Sequence, residues 1–283
     1  MNFYSKPIKK KYEELTIADD FMFYKVMSDK DLCKGLLETI LGIEIRDLVY
    51  HQTQETMKDS YDGKGVRLDI YAADDVSTVY NVEMQATYDK DLPKRSRYYQ
   101  SCIDMDLLDK GVRYGKLNKS IVIFICTFDM FRKGLPIYTF NTRCDQDNEL
   151  VLGDEVTKVF VNTTADIEGI DSKLGSLIEY IGKGIVSDEY TRSLDNAVVS
   201  SRKSKDWRNK YMKYEADRQD LIDAGIAIGL EQGLKQGVIR NLIELYIEDS
   251  ITLDKAMLKS GMSKEEFLEK CEAYKESIMS NNK

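Results

Sequence analysis

The sequence predicts an α/β protein in which a helical segment, three strands, a helix and a fourth strand follow one another over residues 15–128. Apolar residues recur at helical spacing between residues 94 and 114. Val66–Tyr71 alternates apolar and polar residues, which is typical of a half-buried strand. Ser120–Thr127 is a nearly continuous β-branched and aromatic run, which favours a buried central strand. Together these segments predict the order αβββαβ.

The N-terminal segment is predicted to contain two helix starts. Thr16 is a suitable N-cap, and Asp19 follows it at the spacing of a capping box. A second start at Ser28 or Asp29 leads through several leucines to Gly42, which is expected to end the helix.

Three strands are predicted next, separated by two polar turns. The strands are Ile43–Tyr50, Val66–Tyr71 and Thr78–Ala86, and the turns are at residues 62–65 and 74–77. The second and third strands therefore form a hairpin.

The rest of the domain is predicted to be a helix followed by further strands. Pro93 is suited to a helix start, and the helix is expected to run over Lys94–Tyr114 and to end at Gly115. Beyond Ser120–Thr127, two more strands are expected at Ile137–Thr142 and Val156–Val161. The chain reads as mostly helical from Ser172, so we expect one domain over residues 15–170 and a helical region over 171–283.

The charge balance limits the ways in which the protein could bind nucleic acid. The net charge of −8 and the pI near 5.0 argue against a protein that coats nucleic acid by charge alone. Basic residues are nevertheless clustered at Lys9–Lys11, at Lys94, Arg95 and Arg97, and at Arg202, Lys203 and Lys205. Each cluster, taken alone, is equally well explained as a solvated charged face.

Cysteine and histidine usage excludes several other classes of site. The five cysteines form no CxxC pair, which argues against a disulfide framework and a zinc ribbon and suits a reducing cytoplasm. The single histidine, His51, has no nucleophile motif beside it and is better explained as a strand or loop residue. The longest apolar run is far too short to cross a bilayer, so no membrane association is expected.

The predicted hairpin gathers candidate metal ligands. With Val76 at the centre of its turn, Asp69 lies opposite Glu83, and residues so placed share one side of the sheet with Cβ atoms about 5 Å apart. Gln85 shares that side, being two residues beyond Glu83. Mg²⁺ or Mn²⁺ between the carboxylates would relieve their repulsion, with the Met84 carbonyl as a further ligand and Gln85 orienting a water. On the pattern alone, two acids on the solvent face of an edge hairpin remain an alternative.

Several further stretches belong with the hairpin as a set of motifs: Asp20–Met27, Leu68–Tyr71, Tyr80–Gln85, Arg97–Tyr99, Tyr114–Leu117 with Ile121–Ile125, and the glycine run near residue 230. Together they resemble the PD-(D/E)XK nuclease superfamily, and most closely its recombination-promoting nuclease (Rpn-type) branch of putative transposases. The resemblance covers most of the chain. It implies a restriction-endonuclease-like αβββαβ core with a mixed central sheet.

What the resemblance implies is metal-dependent cleavage of DNA. Asp69 and Glu83 would hold the metal, and Gln85 would stand where the superfamily motif has lysine. Asp20 would be an accessory acid, although an acid in the first turn of a helix is also favourable by itself. Arg97 would face the scissile phosphate, with Lys94 and Arg95 as further DNA contacts.

The C-terminal region carries a glycine every fourth residue, at Gly225, Gly229, Gly233 and Gly237. On a helix these form a stripe that permits close approach of another helix, as in a homodimer, and a flexible hinge is an equal alternative. The final segment has helix–turn–helix spacing with a capping box at Ser263 and Glu266. Its second helix is acidic, which disfavours DNA reading.

Three functions are therefore under consideration. The first is a metal-dependent DNA endonuclease associated with recombination or a mobile element. The second is a DNA-binding or regulatory protein that keeps the nuclease fold but cleaves weakly or not at all. The third is a self-associating interaction protein built on the glycine stripe.

Overall fold

The computed structural model describes residues 10–57, 66–108 and 111–281, excluding the side chains of residues 50, 53–57, 66–68 and 278–281. The chain divides into two compact units, Met1–Tyr211 and Met212–Lys283. Over the described residues, the first contains a six-stranded sheet and the second consists of helices.

Helix α1 (Asp20–Met27) begins later than predicted. Its N-cap is Asp19, and Thr16 precedes the helix in a turn. The predicted pair does interact, because the Thr16 N–H and Oγ1 donate to Asp19 Oδ2 at 2.7 and 3.1 Å. The capping-box spacing therefore identified a polar turn, and the expectation that Thr16 caps the helix was wrong.

Helix α2 (Lys30–Leu41) has the predicted ends. Of the two candidate starts, Asp29 is the N-cap, and its carboxylate accepts hydrogen bonds from the N–H groups of Asp31 and Leu32. Gly42 follows the helix with a φ of +63°, a left-handed conformation that glycine adopts without a Cβ clash.

The sheet is mixed, as predicted. Its strands over the described residues are β1 (Leu48–Met57), β2 (Val66–Asp74), β3 (Val79–Gln85), β4 (Ser120–Cys126), β5 (Ile137–Phe140) and β6 (Val156–Asn162). Their order across the sheet is β1-β2-β3-β4-β6-β5. The first three strands and the β5–β6 pair are antiparallel, whereas β3, β4 and β6 run parallel. All seven residues of β4 are buried, as expected of a central strand.

Strand β1 was predicted over Ile43–Tyr50, but it begins at Leu48 and continues to Met57. The added residues, His51–Met57, are mostly polar and pair with β2 along its length. An edge strand buries less than a central one and does not need an apolar pattern, so its extension carried little sequence signal. The predicted turn at residues 62–65 lies outside the described residues.

Helix α3 (Leu92–Leu107) starts at the predicted proline but ends about two turns early. Met105 in its last turn is exposed, so the predicted apolar face is already partly open to solvent there. Tyr114–Lys116 forms a separate 3₁₀ turn, and Gly115 therefore does not end α3.

Helices cover the sheet from both sides. Helix α3 packs over the side that carries Tyr71, Val122, Phe124 and Phe160, which belong to one buried cluster with Tyr99 and Ile103. Helix α1 contacts β2 and β3, and α2 contacts β1. The central hairpin therefore lies between α1 and α3, which places the ends of both helices near its acidic residues.

The helical part of the chain begins at Ser172, as predicted. Its elements are α4 (Ser172–Lys183), α5 (Glu189–Lys203), α6 (Lys205–Ile247), α7 (Leu253–Ser260) and α8 (Lys264–Asn281). Helices α4 and α5 belong to the first unit. The capping box before α8 is confirmed, because Ser263 and Glu266 each accept the other's backbone N–H through their side chains. Across the described residues, no helix combines the length and apolar character that a membrane span requires.

Candidate metal centre

The register of the β2–β3 hairpin places the two predicted acids opposite each other. Ile70 pairs with Val82, and the pairing continues symmetrically around a turn centred on Val76. One residue further from the turn on each strand stand Asp69 and Glu83. The sequence prediction of this register is confirmed.

Backbone hydrogen bonds cross between the two acids. The Asp69 N–H donates to Glu83 Oε1 at 3.1 Å, and the Met84 N–H donates to Asp69 Oδ2 at 3.2 Å. Each carboxylate is therefore held by the backbone of the opposite strand. This exchange fixes both carboxyl groups in one small region beyond the last paired residues of the hairpin.

Glu83 lies in an unfavourable electrostatic environment for a charged side chain. It is only 2% exposed. Burial, followed by the nearby charge of Asp69, raises the pKa of Glu83 well above its ordinary value. Hydrogen bonding from the Asp69 N–H, the charge of Arg95 and the Asn81 amide act in the opposite direction but do not cancel the effect. Two acids in this position need a nearby positive charge if both are to ionise.

The acids open into a pocket of about 260 Å³. Its described lining residues are Asp20, Asp69, Glu83, Met84, Gln85, Ala86, Thr87, Arg95 and Tyr99. The pocket thus brings together all four predicted catalytic residues and the residue predicted to offer a backbone carbonyl. Asp20 contributes from the exposed first residue of α1, while Arg95 and Tyr99 come from α3.

Arg95 is the basic residue that reaches the acids. Its Nη1 donates to Gln85 Oε1 at 3.3 Å, its Nη2 donates to Tyr99 Oη at 2.9 Å, and Nη2 lies 3.9 Å from Glu83 Oε2. Sequence reasoning assigned the phosphate-facing role to Arg97 and named Arg95 only as a further DNA contact. The useful signal was the spacing of Arg95 and Tyr99, because residues four apart share a helix face.

The other two basic residues of α3 point elsewhere. Arg97 and Lys94 are exposed, and neither is among the described lining residues of the pocket. Successive helical residues are rotated by about 100°, so Arg97 lies about 200° from Arg95. Both residues stand on the surface of the helix that carries Arg95.

Tyr99 forms part of the pocket wall as a neutral phenol. Burial, followed by the charge of Glu83, raises the pKa of Tyr99 to about 12. Its ring stacks on Phe124, with centroids 6.0 Å apart. The Arg95 guanidinium lies 5.3 Å from the Tyr99 ring centroid and 5.9 Å from that of Phe124. The pocket therefore has a polar acidic side and an aromatic side.

The donor chemistry of the pocket fits a hard divalent cation. Asp69 and Glu83 offer carboxylate oxygens, which Mg²⁺ and Mn²⁺ prefer. No group of three or more acids, histidines or cysteines suited to a metal occurs among the residues that the structure describes. Two carboxylates suffice for an ion that keeps several of its waters, as Mg²⁺ usually does.

The mixed sheet, the helix across one side of it and the acidic hairpin define a restriction-endonuclease-like α/β domain. The model of the family described as PD-(D/E)XK nuclease family transposase matches residues 18–162. This match covers more than half of the 283 residues, and the chain belongs to that family. Comparisons with curated proteins and with solved structures give no significant match.

Proposed function

We propose that this protein is a metal-dependent DNA endonuclease that acts in recombination or for a mobile element. The observation that carries the proposal is the acid pair of Asp69 and Glu83, fixed at the end of a hairpin and open to a pocket. The family match supports the same reaction class, since it covers both acids.

The acid pair is proposed to hold Mg²⁺ or Mn²⁺. Asp69 and Glu83 would be the charged ligands, and the carbonyl of Met84 is a candidate third oxygen. Such an ion polarises a phosphodiester, lowers the pKa of a bound water and stabilises a leaving oxygen. The raised pKa of Glu83 means that this carboxyl group ionises most readily when a cation is beside it.

Gln85 is proposed to position the attacking water or a phosphate oxygen. Its Oε1 accepts a hydrogen bond from Arg95, which orients the side-chain amide. The Nε2 group is then the donor that Gln85 can offer to an oxygen in the pocket. Asp20, at the exposed side of the same pocket, is proposed as an accessory acid that orders water.

DNA is proposed to lie along the exposed surface of α3. Lys94 and Arg97 are exposed there, on the helix whose Arg95 enters the pocket. Cationic side chains at these positions would contact backbone phosphates outside the pocket and would set the position of the DNA. The net charge of −8 means that such contacts are local.

A plasmid-nicking assay tests the proposal. Purified protein with Mg²⁺ is expected to convert supercoiled plasmid to nicked or linear forms, and Asp69→Ala is expected to abolish the conversion. Asp145→Ala, at an exposed loop acid, is the matched control and should cleave as the unmodified protein does. Equal nicking by the unmodified protein and Asp69→Ala would refute this site.

The alternative is a nuclease-fold protein that binds or regulates DNA without efficient cleavage. The observation that favours it is Gln85, a neutral residue at the position where the superfamily motif has lysine. Titration with Mn²⁺ separates the two functions. An active site should bind Mn²⁺ in a manner that depends on Asp69, whereas a decayed one should not.

Self-association through α6 is a further part of the proposal. Leu230, Leu234 and Val238 are exposed, and they run beside the glycine stripe at four-residue spacing. Two copies are proposed to pair along this stripe. Sedimentation of the intact protein measures its mass in solution and tests this pairing. The expected result is the mass of a dimer.

A further inference from the structure

The described lining of the acidic pocket contains one basic side chain, Arg95. It enters from α3, a different element from the hairpin that carries the acids. Its guanidinium contacts Gln85 and Tyr99 and lies 3.9 Å from Glu83 Oε2. The positive charge is therefore held beside the acid pair and beside the amide proposed to orient water or phosphate.

The guanidinium is oriented before any ligand arrives. Tyr99 Oη and Gln85 Oε1 accept from different η nitrogens, and the rings of Tyr99 and Phe124 lie 5.3 and 5.9 Å away. A planar guanidinium held by two acceptors and two rings has little freedom to turn. A donor fixed in this way does not have to reorganise during a reaction.

The exposure of Arg95 distinguishes it from a purely structural counter-ion. Its side chain is 35% exposed, although the carboxylate of Glu83 beneath it is almost fully buried. A guanidinium has five N–H donors, and the hydrogen bonds to Gln85 and Tyr99 occupy only part of that capacity. Its accessible part can therefore donate to an anionic ligand that enters the pocket.

A bound divalent cation would strengthen this role. The cation would balance Asp69 and Glu83, and the charge of Arg95 would then be available to a phosphate. Asp89, 3.6 Å from Nη1, holds the outer side of the guanidinium but is itself partly exposed and screened by water. The same side chain would thus balance the acid pair without metal and be available to a phosphate with metal.

We propose that Arg95 is a catalytic residue that donates to the scissile phosphate and supplies the positive charge that Gln85 cannot. The proposal rests on the proposed nuclease function. In hydrolysis, a water oxygen bonds to phosphorus while the bond from phosphorus to the leaving oxygen breaks, and protons pass from the attacking water and to the leaving oxygen through solvent. Arg95 transfers no proton, because a guanidinium stays protonated in proteins. It stabilises the negative charge that develops on the phosphate oxygens.

The test compares Arg95→Gln with Arg192→Gln, a matched change at an exposed arginine of α5. Single-turnover cleavage of a DNA duplex in Mg²⁺ gives the rate constant, and its dependence on protein concentration gives the apparent Kd. Loss of one transition-state donor typically lowers the rate about 10²–10³-fold. We expect that loss for Arg95→Gln, with Kd changed less than about threefold, and no change for Arg192→Gln.

Charge relocation separates catalysis from a structural role. The double variant Arg95→Gln with Gln85→Lys returns a positive charge to the pocket from the strand. The rate constant of this double variant should be at least about tenfold higher than that of Arg95→Gln. Arg95→Lys, which keeps the positive charge, should also retain more activity than Arg95→Gln. If Arg95→Gln does not fold, the double variant is used for the test instead. A double variant that folds but does not cleave would overturn the proposal.

The outcomes also separate this inference from the proposed function. If the unmodified protein cleaves in an Asp69-dependent manner while Arg95→Gln retains its full rate, only the role of Arg95 is refuted. A loss confined to Kd refutes it as well. If the unmodified protein cleaves no better than Asp69→Ala, the proposed function fails and the role of Arg95 fails with it.

Discussion

Replacement of Glu83 by glutamine should stabilise the protein in the absence of metal. Glu83 is buried beside Asp69, so its ionised form carries both a desolvation cost and a repulsion. Glutamine keeps an oxygen that can accept the Asp69 N–H, and it removes the charge. A residue that serves a metal site is expected to lower the stability of the empty site.

The size of the effect follows from the geometry. The Cβ atoms of opposed strand residues are about 5 Å apart, and two unit charges at that separation repel by roughly 3 kcal/mol at an effective dielectric constant of about 20. Loss of the charge–charge contact with Arg95 and of charge-assisted hydrogen bonds offsets roughly 1–2 kcal/mol of this gain. A net gain of about 1–2 kcal/mol raises the Tm by roughly 2–8 °C in a unit of about 200 residues.

The stabilisation should depend on pH in a defined direction. Since the pKa of Glu83 is raised on folding, the folded protein holds this proton more tightly than the unfolded chain does. The stability that this proton contributes is present below the ordinary pKa of 4.5 and is lost as the pH rises through the folded-state pKa. The Tm of Glu83→Gln should therefore be close to that of the unmodified protein near pH 4. At higher pH, the Tm of Glu83→Gln should exceed it by a progressively larger amount.

Thermal denaturation in EDTA and in Mn²⁺ measures both effects. Mn²⁺ at about 100 times its Kd should stabilise the unmodified protein by about 2.7 kcal/mol, and Glu83→Gln should lose most of that increment. Glu149→Gln, at an exposed loop residue, is the control and should change neither quantity. If Glu83→Gln is less stable than the unmodified protein in EDTA at pH 8, or responds fully to Mn²⁺, then Glu83 is neither a destabilising charge nor a metal ligand.

Three further predictions concern other parts of the chain. Asp29→Ala removes the side-chain N-cap of α2 and should lower the free energy of unfolding by about 1 kcal/mol in urea denaturation. Arg97→Gln should weaken DNA binding and reduce the slope of log K against log salt by about 1, with the cleavage rate of bound DNA unchanged; a changed rate with the same slope would contradict this. Leu234→Glu should convert a dimer to a monomer in sedimentation, and an unchanged mass would exclude α6 as the interface.

The hairpin was the part of the site that the sequence predicted most closely. Its register depends on a short turn around Val76 and on alternating residues in both strands, and these are local signals. Once the turn is placed, the opposition of Asp69 and Glu83 follows from strand geometry. The buried strand β4 was predicted to within one residue for the same reason.

The selection of Arg95 rather than Arg97 could not be made from the helix alone. Both residues belong to α3, and its rotation about its own axis is set by packing of Tyr99 and Ile103 on the sheet. Helical periodicity places the two arginines on different faces of α3, but it does not show which face contacts the hairpin. That choice depends on contacts between residues distant in the sequence.

Strand β1 and helix α1 show two other limits of sequence reasoning. The polar half of β1 pairs at the edge of the sheet, where apolar alternation is not required. The start of α1 was placed too early because the Thr16 and Asp19 side chains make a local polar turn that resembles a capping box. In both places the sequence pattern fits more than one backbone conformation.

A crystal structure of the protein soaked in Mn²⁺ would test the metal site most directly. We expect an anomalous peak in the pocket, about 2.0–2.3 Å from one carboxylate oxygen of Asp69 and one of Glu83, and no peak there in Asp69→Ala. The acid pair would not be a metal site if both carboxylates stayed in their crossed backbone hydrogen bonds with no ion between them at saturating Mn²⁺.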